Sequence, residues 1–295
     1  MINGKTKVLG VIGDPIEHTF SPAMHNAGLK ELGLNYNYLP FHVLPNNLEK
    51  AIIGAKSLDF TGLNVTIPHK IAILDYLDEI DPIANMIGAV NTVKFTNRTN
   101  DNDYDNNGEK IAIGYNTDGY GCVRAIKELT DLKDKNVVIT GAGGASRAIA
   151  FQIANSDINN LSILNRNHQK AANLAKDLNN NLEDVNINSH ELDNLKKELE
   201  NADILIDTTP LGMYPNVNDR PIATADMMHE DLIVNDIVYT PKETTLLKEA
   251  KKAGCRTVEG YKMLLYQGVR SFEIWLDRDA PIDVMEKALL DVLGI

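Results

Sequence analysis

The stretch GLNVTIPHK, residues 62–70, ends an apolar run with two side chains able to move a proton, His69 and Lys70. Histidine is the ordinary proton carrier near neutral pH. A lysine ammonium can donate a proton and also neutralise an oxygen that gains negative charge. Read as a strand, the run puts Asn64, Thr66 and Lys70 on one parity, and Val65, Ile67 and His69 on the other. Pro68 ends regular pairing, so the parity is only suggestive at residue 70. On this pattern Lys70 joins a polar face, and His69 reads as a structural or exposed neighbour. Two more polar clusters follow apolar runs: AVNT, with Asn91 and Thr92, and YNTDG, with Asn116 and Asp118. Either alone could be a strand turning. Together with Asn64 and Thr66 they offer amides, hydroxyls, a lysine and an aspartate to a polyhydroxylated ligand. Upstream, GDPIEHTFSPAMHN carries Thr19, then Ser21 as a natural N-cap and Pro22 suited to a first helical position. Ser21 either only caps or, with Thr19, lines a helix N-terminus suited to a carboxylate.

A different chemistry lies in TGAGGASRA, residues 140–148, which follows the apolar run KNVVIT and opens a helical pattern. That is the context of a dinucleotide fingerprint. Gly141 permits a tight turn, and Gly143 lets the backbone approach a pyrophosphate. The sixth position is Ser146, where the plain pattern has Gly or Ala. About 20 residues past the glycines an NAD enzyme usually places an acid for the ribose 2′-hydroxyl. Here the sequence is ILNRNHQK, with neutral Asn165, then Arg166, and Lys170 one turn on. These are either solvated charges at a helix start or the partners of a 2′-phosphate, which a guanidinium can bind bidentately. Cations at a helix N-terminus oppose the macrodipole, and an anion bound between them relieves that, so NADP is the expected cofactor.

Elements must bring these residues together. The first part alternates KVLGVIG, a helical run SPAMHNAGLKELG, NYNYLPFHV, a helix near 46–56, GLNVTI, and a helix with a loop over 70–88. GAVNTVKF and KIAIGYNT then read as a hairpin whose tip is rich in Asn and Asp. From residue 136 strands and helices alternate through LSILNRN, VNINSH, ADILIDTT and DLIVNDIV, the pattern of a parallel sheet covered on both faces. Two amphipathic helices close the chain from 260. At 295 residues two domains are expected. A formal net charge of -12 argues against sequence-independent nucleic-acid binding, yet leaves room for an anionic small molecule at a locally positive site. No run approaches the ~18 apolar residues that cross a bilayer, and MINGKTKVLG lacks a signal-peptide core, so a cytoplasmic protein is expected. Cys122 and Cys255 stand far apart in no metal-ligand spacing and read as reduced thiols.

Taken in order, GDPIEHTFSPAMHN, GLNVTIPHK, GAVNT, YNTDG, GAGGASRA, NRN, DTTPLGM, DIVYTP and GYKMLLYQG resemble the motifs of the shikimate dehydrogenase (shikimate/quinate dehydrogenase) family over nearly the whole chain. The resemblance implies a two-domain α/β protein. An N-terminal α/β substrate domain, 1–117 plus 260–295, would hold between its parts a Rossmann-type, doubly wound parallel-sheet NADP domain, 118–259. It implies reversible reduction of 3-dehydroshikimate to shikimate by NADPH in aromatic amino-acid biosynthesis, without metal or flavin, and leaves room for a homodimer. Lys70 and Asp118 would form the catalytic pair. Thr19 and Ser21 would bind the substrate carboxylate; Asn64, Thr66, Asn91 and Gln267 the ring hydroxyls; and Tyr239 would lie near both substrate and nicotinamide. Gly141, Ala142, Gly143, Gly144, Ala145 and Ser146 would cradle the pyrophosphate; Asn165, Arg166 and Lys170 would surround the 2′-phosphate; Met213, Gly260 and Met263 would complete the cofactor site. The chain departs from the family pattern at Thr19, where Ser is common, at Asn167, where Thr is common, and at Lys170, where Arg is frequent. The last two loosen the NADP preference, since lysine keeps the charge but loses the fork. A quinate/shikimate dehydrogenase using NAD is the alternative, and it would favour Asp near 166.

Overall fold

The computed structural model describes residues 2–98, 110–182 and 185–294. The hairpin tip expected around 97–109 lies, from 99 on, outside them. Two compact units emerge, Met1–Thr117 with Gly268–Ile295, and Asp118–Gln267.

The first unit contains β1 (Lys7–Gly13), α1 (Ser21–Glu31), β2 (Tyr36–His42), α2 (Leu48–Ser57), β3 (Gly62–Val65), α3 (His69–Ala72), β4 (Glu79–Ile80), α4 (Pro82–Ile87), β5 (Thr92–Asn97) and β6 (Lys110–Tyr115). Its sheet runs β2-β1-β3-β5-β6-β4. Strand β5 is antiparallel to β3 and to β6, while β1 pairs parallel with β2 and β3. The reversal has a consequence for chemistry: β5 begins where β3 and β6 end, with Thr92 opposite both Asn64 and Tyr115. The AVNT cluster thus opens a strand instead of closing one. Strand β3 stops at Val65, and Pro68 precedes a helical turn that starts at His69, so strand parity does not reach Lys70. Apolar residues on β3 and β5, among them Leu63, Val65, Val93 and Phe95, share a core with Ile52 of α2.

The second unit contains α5 (Asp118–Ile126), β7 (Asn136–Thr140), α6 (Gly144–Ala154), β8 (Asn160–Asn165), α7 (His168–Asn181), β9 (Asn186–Glu191), α8 (Leu195–Leu199), β10 (Ile204–Asp207), β11 (Ile233–Asp236), α9 (Thr245–Lys252), β12 (Arg256–Val258) and the start of α10 (Gly260–Leu276). Its strands are ordered β12-β11-β10-β7-β8-β9, every pair parallel. The chain winds outward from β7 through β8 and β9, then returns to the other side of β7 at β10. This is the doubly wound Rossmann arrangement, and its switch point lies at the C-terminal end of β7, where the glycine-rich turn begins. Strand β12 is three residues long with one buried position, too short and polar to register as a strand in the sequence. The unit boundary falls between Gln267 and Gly268 inside α10, where the sequence reading put it at 260. The rest of α10, with α11 (Ile282–Leu293), belongs to the first unit. Among the described residues no helix is long and apolar enough to cross a membrane.

Candidate active site

In the first unit, backbone hydrogen bonds gather the polar segments that the sequence singled out. Val65 N–H donates to Asn91 O, Asn91 N–H to Tyr115 O, and Val90 N–H to Lys70 O. Thr66 N–H donates to Ile12 O at the end of β1. The ends of β1, β3 and β6, the start of β5 and the Lys70 turn therefore meet at one edge. Here Asn64, Asn91, Thr92 and Thr117 are buried. Asn64 Nδ2 lies 3.1 Å from Asn91 O, 3.1 Å from Thr92 Oγ1 and 3.0 Å from Ser271 Oγ. Asn91 Oδ1 accepts from Thr117 N–H at 2.9 Å, and Asn91 Nδ2 donates to Thr117 Oγ1 at 3.0 Å. The Thr92 and Ser271 hydroxyls are 2.7 Å apart. Thr66 packs beside Gly13, which has no room for a Cβ against the Thr66 methyl. Lys70 is half-buried, whereas His69 is fully buried with Nε2 2.6 Å from the Val43 carbonyl. A carbonyl only accepts, so Nε2 carries the proton and donates.

At the start of α1 the structure corrects one expectation. Phe20 occupies the N-cap, without a side-chain cap bond, and Ser21 is the first helical residue. Thr19 Oγ1 instead accepts from Ser21 N–H at 3.4 Å. Tyr38 is fully buried, and its hydroxyl donates to Asn64 Oδ1 at 2.7 Å. Tyr38, Thr117 and Ser271 thus join a network that the sequence reading did not assign. Thr117 stood within the YNTDG motif, and Ser271 follows Gln267 by four residues, the spacing of one helix face. Nothing distinguished Tyr38 from an ordinary core aromatic.

In the second unit, Asp118 opens α5, which is wedged between two helices by glycines. A Cβ on Gly119 would lie 2.3 Å from Ala148 O of α6, and one on Gly121 would lie 2.5 Å from Met263 O of α10. The start of α5 is thereby held beside Met263 and Gln267. The glycine-rich turn has the tight geometry its sequence suggests. Gly141 adopts φ +104°, which favours glycine, and Ser146 is buried with its hydroxyl donating to Gly141 O at 2.8 Å. The Ser146 side chain braces the turn from inside. Gly143 is the N-cap of α6 and provides no side-chain cap, and a Cβ on Gly143 or Gly144 would meet nothing within 4 Å. An uncapped helix start beside open glycine backbone fits the pyrophosphate of a dinucleotide. At the end of β8, Asn165 Nδ2 donates to Asn167 O, and the Asn167 side chain caps α7. Arg166 and Lys170 are exposed beside it, and no carboxylate stands next to them in the chain, which suits a 2′-phosphate.

The DTTPLGM and DIVYTP loops are tied together, Tyr214 N–H donating to Thr240 O at 2.9 Å, with Met213 and Tyr239 partly exposed. At Gly260 a Cβ would lie 2.4 Å from Val238 O, so glycine lets α10 start against the end of β11. Asp207 and Asp236 are buried side by side at the ends of β10 and β11. Asp207 accepts from Thr140 Oγ1 at 2.7 Å and Asp236 from Thr244 Oγ1 at 2.6 Å. Burial pushes Asp207 up to about 6; burial, then the neighbouring Asp207 charge, pushes Asp236 up to about 7. Both cysteines are buried, and burial raises the Cys122 thiol to about 12, far from a reactive thiolate.

Comparison with known proteins covers both units. Family models described as the shikimate dehydrogenase substrate binding domain, shikimate / quinate 5-dehydrogenase and the shikimate 5'-dehydrogenase C-terminal domain match residues 11–93, 124–239 and 260–290. A shikimate dehydrogenase (NADP(+)) of Methanobrevibacter smithii is 55% identical over 295 residues, covering 100% of both chains. A crystal structure of a shikimate dehydrogenase in complex with NADP+ superposes with a TM-score of 0.87 at 48% identity, covering 99% of this chain and 98% of the other. A shikimate 5-dehydrogenase from Listeria monocytogenes, in complex with shikimate and NAD, gives a TM-score of 0.88 at 36% identity, with 97% of each chain covered.

Proposed function

The chain belongs to the shikimate dehydrogenase family, and from that membership we propose that it catalyses the reversible reduction of 3-dehydroshikimate to shikimate with NADPH, in the cytoplasm, as a step of aromatic amino-acid biosynthesis. The observation that carries this reading is the gathering of Asn64, Asn91 and the Lys70 turn at one sheet edge, through hydrogen bonds among the three polar segments. Amides and hydroxyls set in a rigid, buried network suit a ring bearing several hydroxyls, because each must keep its donor or acceptor role when the ligand arrives.

NADPH, when bound, supplies the hydride. The open backbone of Gly143 and Gly144 at the start of α6 would hold its pyrophosphate, with Ala142, Ala145 and Ser146 shaping the turn. Arg166 and Lys170 would meet the 2′-phosphate near Asn165; Met213, Gly260 and Met263 would border the rest of the cofactor. On the substrate side, Thr19 and Ser21 would hold the carboxylate, and Asn64, Thr66, Asn91 and Gln267 the ring hydroxyls, with Tyr239 at the ring. As negative charge builds on the substrate carbonyl oxygen, the Lys70 ammonium gives it a proton and offsets the charge. Asp118 supports the charged lysine. In the oxidative direction the Lys70 amine accepts the hydroxyl proton as the hydride leaves for NADP+.

Purified protein assayed with shikimate and with quinate, each with NADP and NAD, tests the assignment. Turnover is expected to be fastest with shikimate and NADP; no oxidation of either acid would overturn it. The listerial relative holds NAD, so the expected preference for the phosphorylated cofactor rests on this chain's own Arg166 and Lys170.

A further inference from the structure

The motif SPAMHN contains two residues that the proposed mechanism does not use, His25 and Asn26, and both grip the same tyrosine. Asn26 Oδ1 accepts from Tyr38 N–H at 2.9 Å, while its Nδ2 donates to Tyr38 O at 2.8 Å, so one amide satisfies both backbone groups of a residue on edge strand β2. The same Nδ2 reaches Pro22 O at 2.8 Å, which ties the grip to the first turn of α1. His25 is fully buried and stacks on the Tyr38 ring, centroids 4.3 Å apart and planes within 15°. Phe272 and Trp275 close in at 6.3 and 5.3 Å from the imidazole. Neither ring nitrogen of His25 has a hydrogen-bond partner, and burial lowers its pKa to about 3, so the imidazole serves as a neutral flat plate. Clamped by ring and by backbone, Tyr38 has its hydroxyl set on Asn64 Oδ1.

We propose that Tyr38 is a positioning residue of the substrate site: its hydroxyl fixes the Asn64 amide so that Asn64 presents an acceptor oxygen, and not a donor, to a ring hydroxyl of the substrate. The proposal rests on the shikimate dehydrogenase reading given above. The amide orientation follows from chemistry. Asn91 O is a backbone carbonyl, which can only accept, so the atom 3.1 Å from it must be Asn64 Nδ2. The two Nδ2 hydrogens face three acceptors, Asn91 O, Thr92 Oγ1 and Ser271 Oγ. Oδ1 then points to Tyr38, and burial keeps that phenol protonated and donating. One lone pair of Oδ1 is left for a ligand, and it accepts from a hydroxyl but not from an ether or a carbonyl oxygen.

A double-mutant cycle with Tyr38→Phe and Asn64→Leu reads this directly. Tyr38→Phe should raise the KM for shikimate about tenfold, the size of one lost hydrogen bond, with kcat within about threefold and the KM for NADP unchanged. Asn64→Leu should raise it at least as far, and adding Tyr38→Phe to Asn64→Leu should change nothing more. An unchanged KM in Tyr38→Phe, or an additive rise in the double variant, would overturn the proposal. So would parallel losses in kcat and NADP affinity, which mark a general structural role. If Tyr38→Phe alone does not accumulate as folded protein, the pair still decides, because the double variant leaves no orphaned acceptor: equal kinetics for Asn64→Leu and the double variant support the proposal, and a further rise in KM overturns it. An unmodified enzyme that fails to oxidise shikimate would bring down the functional reading and this inference together. An active enzyme with additive variants brings down this inference alone.

Discussion

His69 and Lys70 are neighbours in sequence with opposite commitments. The imidazole is buried and its Nε2 proton is given to Val43 O, so its removal should be felt as lost stability. Leaving that carbonyl unsatisfied costs about 1–3 kcal/mol. We therefore expect His69→Ala to lower the melting temperature while keeping kcat within a few-fold. Lys70→Ala should leave the melting temperature nearly unchanged and cut kcat by about 10²–10⁴, the usual worth of a positioned acid or base. Melting curves and steady-state kinetics on the two variants check both halves, and a Lys70→Ala enzyme that keeps its turnover would reject the assigned role. Arg166 is committed differently again, as an exposed cation beside the start of α7. Arg166→Ala should raise the KM for NADP about tenfold or more and leave that for NAD alone, since a charge-assisted bond is worth about 1.5–3 kcal/mol. Equal effects on the two cofactors would remove Arg166 from the 2′-phosphate site.

Elements convert these residues into sites through strand direction. Asn64 and Thr92 face each other because β5 runs against β3, and no local pattern in AVNT shows which way its strand runs. Residue types and periodicity singled out Asn64, Asn91 and the glycine turn, because hydroxyls, amides and glycines at strand ends contradict a purely packing role. The same logic passed over Tyr38, whose aromatic type agrees with burial. It also misplaced the cap of α1, since Phe20 offers no side-chain acceptor to mark the position. Strand direction brings one further pair together, Asp207 and Asp236, in register on β10 and β11. In the unfolded chain both ionise near the usual value of 3.8, but in the fold they hold their protons to about 6 and about 7. Below about pH 4 both states are protonated and the pair costs nothing; as pH rises to about 7 the folded state increasingly resists the charge, so stability falls across that window. Asp236→Asn keeps an acceptor for Val238 N–H and can donate to Thr244 Oγ1. It should raise the melting temperature at pH 8 by several degrees, roughly 2–4 °C per kcal/mol gained, and leave it nearly unaltered at pH 4. A variant no more stable than the parent at pH 8 would show that the ionised pair is tolerated without cost.

At the scale of the whole molecule the two units differ in how their cores are assembled. The second is one continuous stretch, 118–267, with its own parallel sheet and a core that includes Val138, Leu205, Val234 and Leu247. The first is completed only by the end of the chain. Trp275 donates its indole N–H to Val93 O at 2.9 Å and fills the space above Gly62, where a Cβ would lie 2.2 Å from the ring nitrogen. Phe272, Met285 and Leu289 are as deeply buried as Trp275 or more so. At about 1.5–3 kcal/mol each, four such side chains contribute roughly 6–12 kcal/mol, comparable to the entire stability of a domain. Residues 1–117 alone should therefore fail to unfold cooperatively, whereas 118–267 should fold as a unit. If the second unit is the NADP domain, the isolated 118–267 fragment should also bind adenosine 2′,5′-bisphosphate, and Arg166→Ala should weaken that binding about tenfold. Calorimetric melts and titration of the nucleotide decide both points. A cooperative 1–117, or a folded 118–267 indifferent to the 2′-phosphate, would show that the chain is not divided in this way between substrate and cofactor.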